Sequence, residues 1–128
     1  MLGAERLTER QRIGRRAEAV ARDYLIHQGF AIIGANVRVG ALEIDIVARQ
    51  GSLLAIVEVR SRGKGAFQRA LASVSATKRA RLVSAADRLW RERFAADLTL
   101  ERLRFDVIAV AFDGDDAEIE HVPAAFTA

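Results

Sequence analysis

The chain has no cysteine among its 128 residues, which removes disulfide staples and thiolate metal sites together and fits a reducing compartment. Any metal it holds must be bound by oxygen or imidazole. Aromatic residues are scarce at 6%, and Trp90 and Phe105 stand among core-type neighbours, so a platform for stacking bases is not expected. Lysine is nearly missing: Lys64 and Lys78 are the only two among 20 basic residues. Apolar runs such as Leu53 to Val57 fall far short of the roughly 18 residues that cross a bilayer. The arginine-rich start carries Glu5, Glu9 and Glu18 and no apolar core segment, so neither a secretory signal nor a transit peptide is expected and the cytoplasm is the default location. His27 and His121 are single and far apart in sequence, which favours satisfied or surface histidines over a zinc site. Arg62-Gly63-Lys64-Gly65 lacks the glycine spacing of a P-loop, which argues against nucleotide hydrolysis.

What is present suits one compact domain over residues 1–128, the first eight being a flexible segment: 51% of residues are hydrophobic, and a chain of this size supports one core. The net charge is only +3, but its distribution is uneven. Arg6, Arg10, Arg12, Arg15, Arg16 and Arg22 come early, Lys78, Arg79, Arg81, Arg88, Arg91 and Arg93 later, and the acids crowd between Asp113 and Glu120. Two readings stand side by side: a face for a phosphate-rich partner, or arginine-heavy usage on solvated helix faces.

Thr8-Glu9-Arg10-Gln11 has the form of a capping box and predicts a helix with Ile13, Ala17, Ala21, Tyr24 and Leu25 as its apolar stripe, stopped at Gly29. Phe30 to Val37 reads as a strand, Arg38 to Ala41 as a turn, and Leu42 to Arg49 as a second strand. Strict alternation there sets Glu43, Asp45 and Val47 on one face and Ile44, Ile46 and Ala48 on the other. After a turn at Gln50-Gly51-Ser52, a third strand places Leu54, Ile56, Glu58 and Arg60 on one face. A four-residue loop from Gln50 to Leu53 would set Asp45 opposite Glu58 and Glu43 opposite Arg60. Ser61 to Ala72 reads as a basic loop. Ser75 caps a helix from Ala76 to about Arg93, with Ala80, Val83, Ala86, Leu89 and Trp90 inward. Leu100 to Phe112 and Ile119 to Val122 are the last strands, joined by a turn at Asp113 to Asp116. The element order is α-β-β-β-α-β-β.

Acids inside apolar strands need an explanation, because ionised carboxylates resist burial unless a positive partner meets them. Two carboxylates converging across a hairpin suit a divalent cation, and Mg²⁺ (or Mn²⁺) with so few protein ligands would keep several waters. Metal-dependent phosphodiester hydrolysis asks for such carboxylates and a cation that stabilises developing charge. Asp45 and Glu58 are the candidate metal ligands, Arg60 the candidate cation, and Glu18 a further acid if the first helix packs beside the hairpin. The competing structural reading is a cross-strand ion pair of Glu58 with Arg60 or Glu43. Asp106, two residues from Arg104, reads as an ion-pair or sheet-edge acid. Arg15, Arg16, Arg38, Arg62, Lys64, Lys78, Arg79 and Arg81 are candidates for nucleic-acid phosphate contacts.

The runs Gly14-x-x-Ala17-Glu18, Tyr24-Leu25, Gly29-Phe30, Glu43-Ile44-Asp45, Val57-Glu58-Val59-Arg60-x-Arg62, Lys78-Arg79-x-Arg81 and Arg104-Phe105-Asp106-Val107 resemble the YraN-like bacterial proteins, a family similar to archaeal Holliday junction resolvases. The resemblance extends from about Gly14 to Phe126. It implies an α/β, restriction-endonuclease-like PD-(D/E)XK fold, a mixed central sheet flanked by helices, with Glu18, Asp45 and Glu58 at metal-side positions. Two residues depart from the pattern: Leu42 replaces a glycine before Glu43, and Arg60 replaces the lysine. Arginine keeps the charge and a fork of donors but cannot readily release a proton, and Lys64 or Lys78 could take the missing place from outside the strand. Three functions follow as expectations: a Mg²⁺-dependent endonuclease or resolvase-like protein acting on structured DNA, a nucleic-acid-binding protein that keeps the nuclease fold without cleaving, or a protein-interaction module. A symmetric junction would suit a two-fold homodimer.

Overall fold

The computed structural model describes residues 6–62 and 74–127, apart from the Arg62 side chain. Helix α1 (Glu9–His27) precedes three strands, β1 (Ala31–Val39), β2 (Leu42–Gln50) and β3 (Leu53–Arg62); helix α2 (Ala76–Leu89), extended by a π-helical turn over Trp90–Phe94, leads to β4 (Arg102–Asp113) and β5 (Asp116–Phe126). The element order is the one the sequence predicts. The strands form one sheet in the order β1-β2-β3-β4-β5. Only the β3–β4 pairing is parallel, as a crossover through α2 allows.

Helix α1 begins as its capping box dictates: the Thr8 hydroxyl accepts from Gln11 N at 3.1 Å and Thr8 N donates to the Gln11 side chain at 2.9 Å. It ends where Gly29 adopts φ +93°, a conformation costly for residues with a Cβ. Its inward stripe is Ala17, Ala21 and Leu25, with Tyr24 packed beside it. The small alanines let the helix lie close on the sheet against Ile46, Ala48, Ala55, Val57, Ile108 and Val110. On the opposite face α2 buries Leu82, Ala85, Ala86 and Leu89 against Val47, Leu54, Ile56, Phe105 and Val107. Neighbours along β3 thus face opposite helices, the mark of a central strand covered on both sides.

Several boundaries differ from the sequence expectation. The α2 stripe excludes Ala80, which is exposed, because the helix turns Leu82 and Ala85 inward. Ser61 and Arg62 belong to β3 rather than a loop, and the rest of the expected basic loop, Lys64 included, lies outside the described residues. Gln50 and Leu53 pair with each other, so the β2–β3 turn is only Gly51 and Ser52, with the expected register retained. Strand β5 is much longer than Ile119 to Val122 because its exposed edge is held by backbone pairing to β4, which apolar periodicity does not register.

Asp106 is fully buried rather than at a sheet edge, and the expected pairing with Arg104 holds. Arg104 donates to both of its oxygens at 2.8 Å, His121 Nε2 meets Oδ2 at 2.9 Å, and Ala124 N donates to Oδ1 at 3.0 Å. The other ring nitrogen of His121 lies 2.9 Å from the Tyr24 hydroxyl, tying α1 to β5. Ala124 reaches Asp106 because β5 bulges after Pro123, with Ala124 at φ +51°. Burial alone would push the Asp106 carboxyl up, but the bonds from His121, Arg104 and Ala124 outweigh it and hold it below the ordinary 3.8. Its stabilising contribution is therefore complete above about pH 4 and is lost as pH falls through the lowered folded value. Asp106→Ala is expected to cost about 3–5 kcal/mol, as for breaking a buried ion pair, measured by urea unfolding at pH 7; a loss below about 1 kcal/mol would mean that the network does not hold β5.

Candidate functional site

The alternation of β2 breaks at Asp45. Ile46 packs with the α1-side cluster, yet Ile44, two residues away, packs with the α2-side cluster, so the expectation that Ile44, Ile46 and Ala48 share a face does not hold. The cause lies partly on the neighbouring strand. The pairs Ala35–Ile46 and Val37–Ile44 bracket Asn36 opposite Asp45, and Asn36 has φ +52°, a left-handed conformation that asparagine tolerates better than most residues. On the other side, the paired ladder with β3 runs to Ile46–Val57. Beyond it the Asp45 carboxylate accepts from Val59 N at 2.8 Å, a side chain replacing a backbone acceptor. Continuing the register sets Asp45 opposite Glu58.

Glu58 is only 4% exposed, on the middle strand and next to Val107 of β4. Its carboxyl stands beside that of Asp45: burial, then hydrogen-bonding interaction with Glu58 and the Glu58 charge, push the Asp45 pKa up to about 8, against the Val59 N–H and the Lys78 ammonium. Lys78 Nζ stands 3.4 Å from Glu58 Oε2, but that buried oxygen has no aligned hydrogen-bond donor. The contact is therefore an ion pair with poor directionality. Among the described residues, Lys78 and not Arg60 makes this pair, which replaces the expected cross-strand pairing of Glu58 with Arg60 or Glu43. Arg60 is partly exposed, with its Nε buried and unpartnered.

Glu43 leaves the expected common face with Asp45, Glu58 and Arg60. With its nitrogen turned inward, the Asn36 amide donates to Glu43 at 3.0 Å and to Glu18 at 3.2 Å. Glu18 is thereby held on α1, its carboxyl raised by burial and by the charges of Asp45 and Glu43, against the Asn36 bond and Arg22. Beside these acids opens a cavity of about 450 Å³ lined by Leu7, Gln11, Gly14, Arg15, Glu18, Asn36 and Glu43. Among the described residues no three His, Cys, Asp or Glu side chains gather closely enough to hold a metal by themselves. The converging set is the pair Asp45 and Glu58. Asn36 escaped the sequence reading; its only signal is an asparagine inside a β-prone run.

A profile of the Uncharacterised protein family UPF0102 matches residues 17–110. The chain belongs to this family. A UPF0102 protein of Sorangium cellulosum is 46% identical over 125 residues, covering 97% of this chain and 87% of that protein. Relatives from Syntrophotalea carbinolica (41% over 120 residues, 92% and 94% covered) and Anaeromyxobacter dehalogenans (42% over 123 residues, 91% and 85%) carry the same family description. The matched span of this UPF0102 chain includes Glu18, Asp45, Glu58, Arg60, Lys78 and Asp106.

The basic candidates divide. Arg15, Arg38 and Arg81 are exposed, and Arg15 borders the cavity beside Glu18. Arg16 is engaged within the molecule, donating to Gly114 O at 3.0 Å with its guanidinium 4.1 Å from the centre of the Phe112 ring. Arg79 donates to Val74 O at 3.0 Å. The Arg62 side chain and Lys64 lie outside the described residues. No helix among the described residues is long and apolar enough to cross a membrane.

Asp45 sets a pH dependence of stability. Between its ordinary value of 3.8 and about 8, the folded chain keeps a proton that the unfolded chain releases, so the associated stability is full below about pH 4 and is lost as pH rises toward 8. Asp45→Asn imitates the protonated carboxyl, can still accept from Val59 N, and can donate to Glu58. It is expected to be near neutral at pH 4 and to stabilise by about 1–3 kcal/mol at pH 8. Urea unfolding of both proteins across this range checks it, and a difference that does not grow with pH would count against the buried pair.

Proposed function

We propose that this UPF0102 chain is a Mg²⁺-dependent endonuclease of the PD-(D/E)XK type that acts on structured DNA. The observation that carries the reading is the carboxyl pair of half-buried Asp45 and buried Glu58 on adjacent strands, with one Glu58 oxygen lacking an aligned donor. That donor set fits a hard divalent cation: two carboxylates on adjacent strands, with oxygen ligands only. When bound, Mg²⁺ supplies a water of lowered pKa and neutralises charge on the phosphorane.

The chain's own groups divide the remaining work. Asp45 and Glu58 would hold the cation, with Asp45 fixed by Val59 N. Glu18, held by Asn36, adds negative charge near Asp45 from the helix side. Arg60 offers donors that can orient a phosphate oxygen. Arg15, Arg38 and Arg81, with Arg62 and Lys64, would neutralise the nucleic-acid backbone, giving binding that weakens steeply with salt. A two-fold dimer of the chain would match a symmetric junction.

The arginine at position 60 favours a second reading, a UPF0102 protein that binds DNA without cutting it. Incubation with four-way junction DNA and Mg²⁺ separates the two. Cleavage is expected, falling at least about 100-fold in Asp45→Ala and in Glu58→Ala while salt-dependent binding persists. Binding without cleavage, unchanged by Arg60→Lys, would select the second reading, and absence of any binding at low salt would remove both.

A further inference from the structure

We propose that Lys78 is the positioning cation of the Asp45–Glu58 site, supplied from the first turn of α2 and filling the place that Arg60 on β3 does not. This inference rests on the nuclease reading for its catalytic part. Its structural part rests on contacts. The Lys78 ammonium lies 3.4 Å from Glu58 Oε2, the lysine side chain 35% exposed and the glutamate side chain 5% exposed. The ammonium thus joins a buried carboxylate to the solvent side of the site.

Local structure makes that placement deliberate in physical terms. Ser75 caps α2, and its hydroxyl accepts from Lys78 N at 3.1 Å, so the lysine backbone is pinned in the first helical turn. A cation there has the wrong sign for the positive end of the helix, and the first turn of α2 contains no acid. The compensating anion comes from β3: Glu58. Arg60, on the same strand, has an unpartnered Nε and makes no ion pair with Glu58 among the described residues. The two cations also differ in kind. A lysine ammonium is a compact point charge with three rotatable donors, while a guanidinium is a wide, planar fork. Among the described residues, the loose geometry at Glu58 leaves Lys78 donors for a water or a phosphate oxygen. Held this way, Lys78 would act through Glu58, balancing that carboxylate's charge at the reacting centre.

The test uses the full chain as wild type, Lys78→Ala, Lys78→Arg, and Lys78→Ala combined with Arg60→Lys. Cleavage of junction DNA with Mg²⁺ is followed as kcat and KM, and Mn²⁺ binding without DNA is measured by calorimetry. Lys78→Ala is expected to lower kcat about 100-fold with little change in KM. Lys78→Arg should recover part of the loss, and the added lysine at position 60 should restore about ten-fold or more. Loss of the competing ammonium should tighten Mn²⁺ binding about three-fold or more; a lysine needed only for folding would weaken it instead. An unchanged kcat, a change in KM alone, or no rescue by Arg60→Lys would overturn the proposal. If the wild type does not cleave, the nuclease reading fails separately and Lys78 is judged on Mn²⁺. Tighter binding in Lys78→Ala then supports its pairing role, unchanged or weaker binding overturns it, and absence of Mn²⁺ binding in every version overturns the role together with the metal site.

Discussion

Two carboxyl groups held side by side in the middle of a sheet cannot both carry charge unless something positive stands between or beside them. The geometry around Asp45 and Glu58 follows from that constraint. One proton can be retained, since burial and then the neighbouring Glu58 carboxyl raise Asp45 to about 8. One ammonium can approach from outside the sheet, as Lys78 does. One backbone N–H can be diverted from the ladder, as Val59 is. Each partly offsets the unfavourable burial, and Glu58 Oε2 is still left without an aligned donor. On the proposed nuclease reading, an added cation would relieve repulsion that the fold has already built in.

The buried Asp106 shows the opposite solution to the same problem. It has Arg104, His121 and Ala124 N arranged around it, and its carboxyl is lowered rather than raised. The described residues thus contain one buried acid whose bonds are satisfied and one acid pair that keeps an oxygen without a hydrogen bond. The first holds strand to strand and, through His121 and Tyr24, strand to helix. The second sits where the β2–β3 ladder ends, just past the Ile46–Val57 pair. That contrast assigns structural work to Asp106 and leaves Asp45 and Glu58 as the chemical candidates.

Much of this was legible in the chain. The Thr8 to Gln11 capping box, the Ala17-Ala21-Leu25 stripe, the apolar alternation of β3 and the Ser75 cap are local signals, and each appears where local physics puts it. The register of β2 on β3 was also readable, because a short turn leaves few ways to pair. The irregularities were harder. Strict alternation gave Ile44 and Ile46 a common face, but the left-handed Asn36 on another strand and the Asp45 bond to Val59 break it. The length of β5 was hidden because exposed residues held by backbone bonds leave no hydrophobic pattern.

The sequence by itself determined the element order, the absence of thiolate chemistry and the pair of strand acids, since these depend on composition and on neighbours only a few residues away. Tertiary structure decided which cation meets Glu58, which acids turn aside with Asn36, and which arginines are already committed to the protein's own carbonyls and rings. The physical reason is distance along the chain. Lys78 and Glu58 are joined by parallel packing of β3 on β4 and by the return of α2 across the sheet, and Arg16 is tied to a turn 98 residues away. Such contacts have no local period for a reader of the sequence to find.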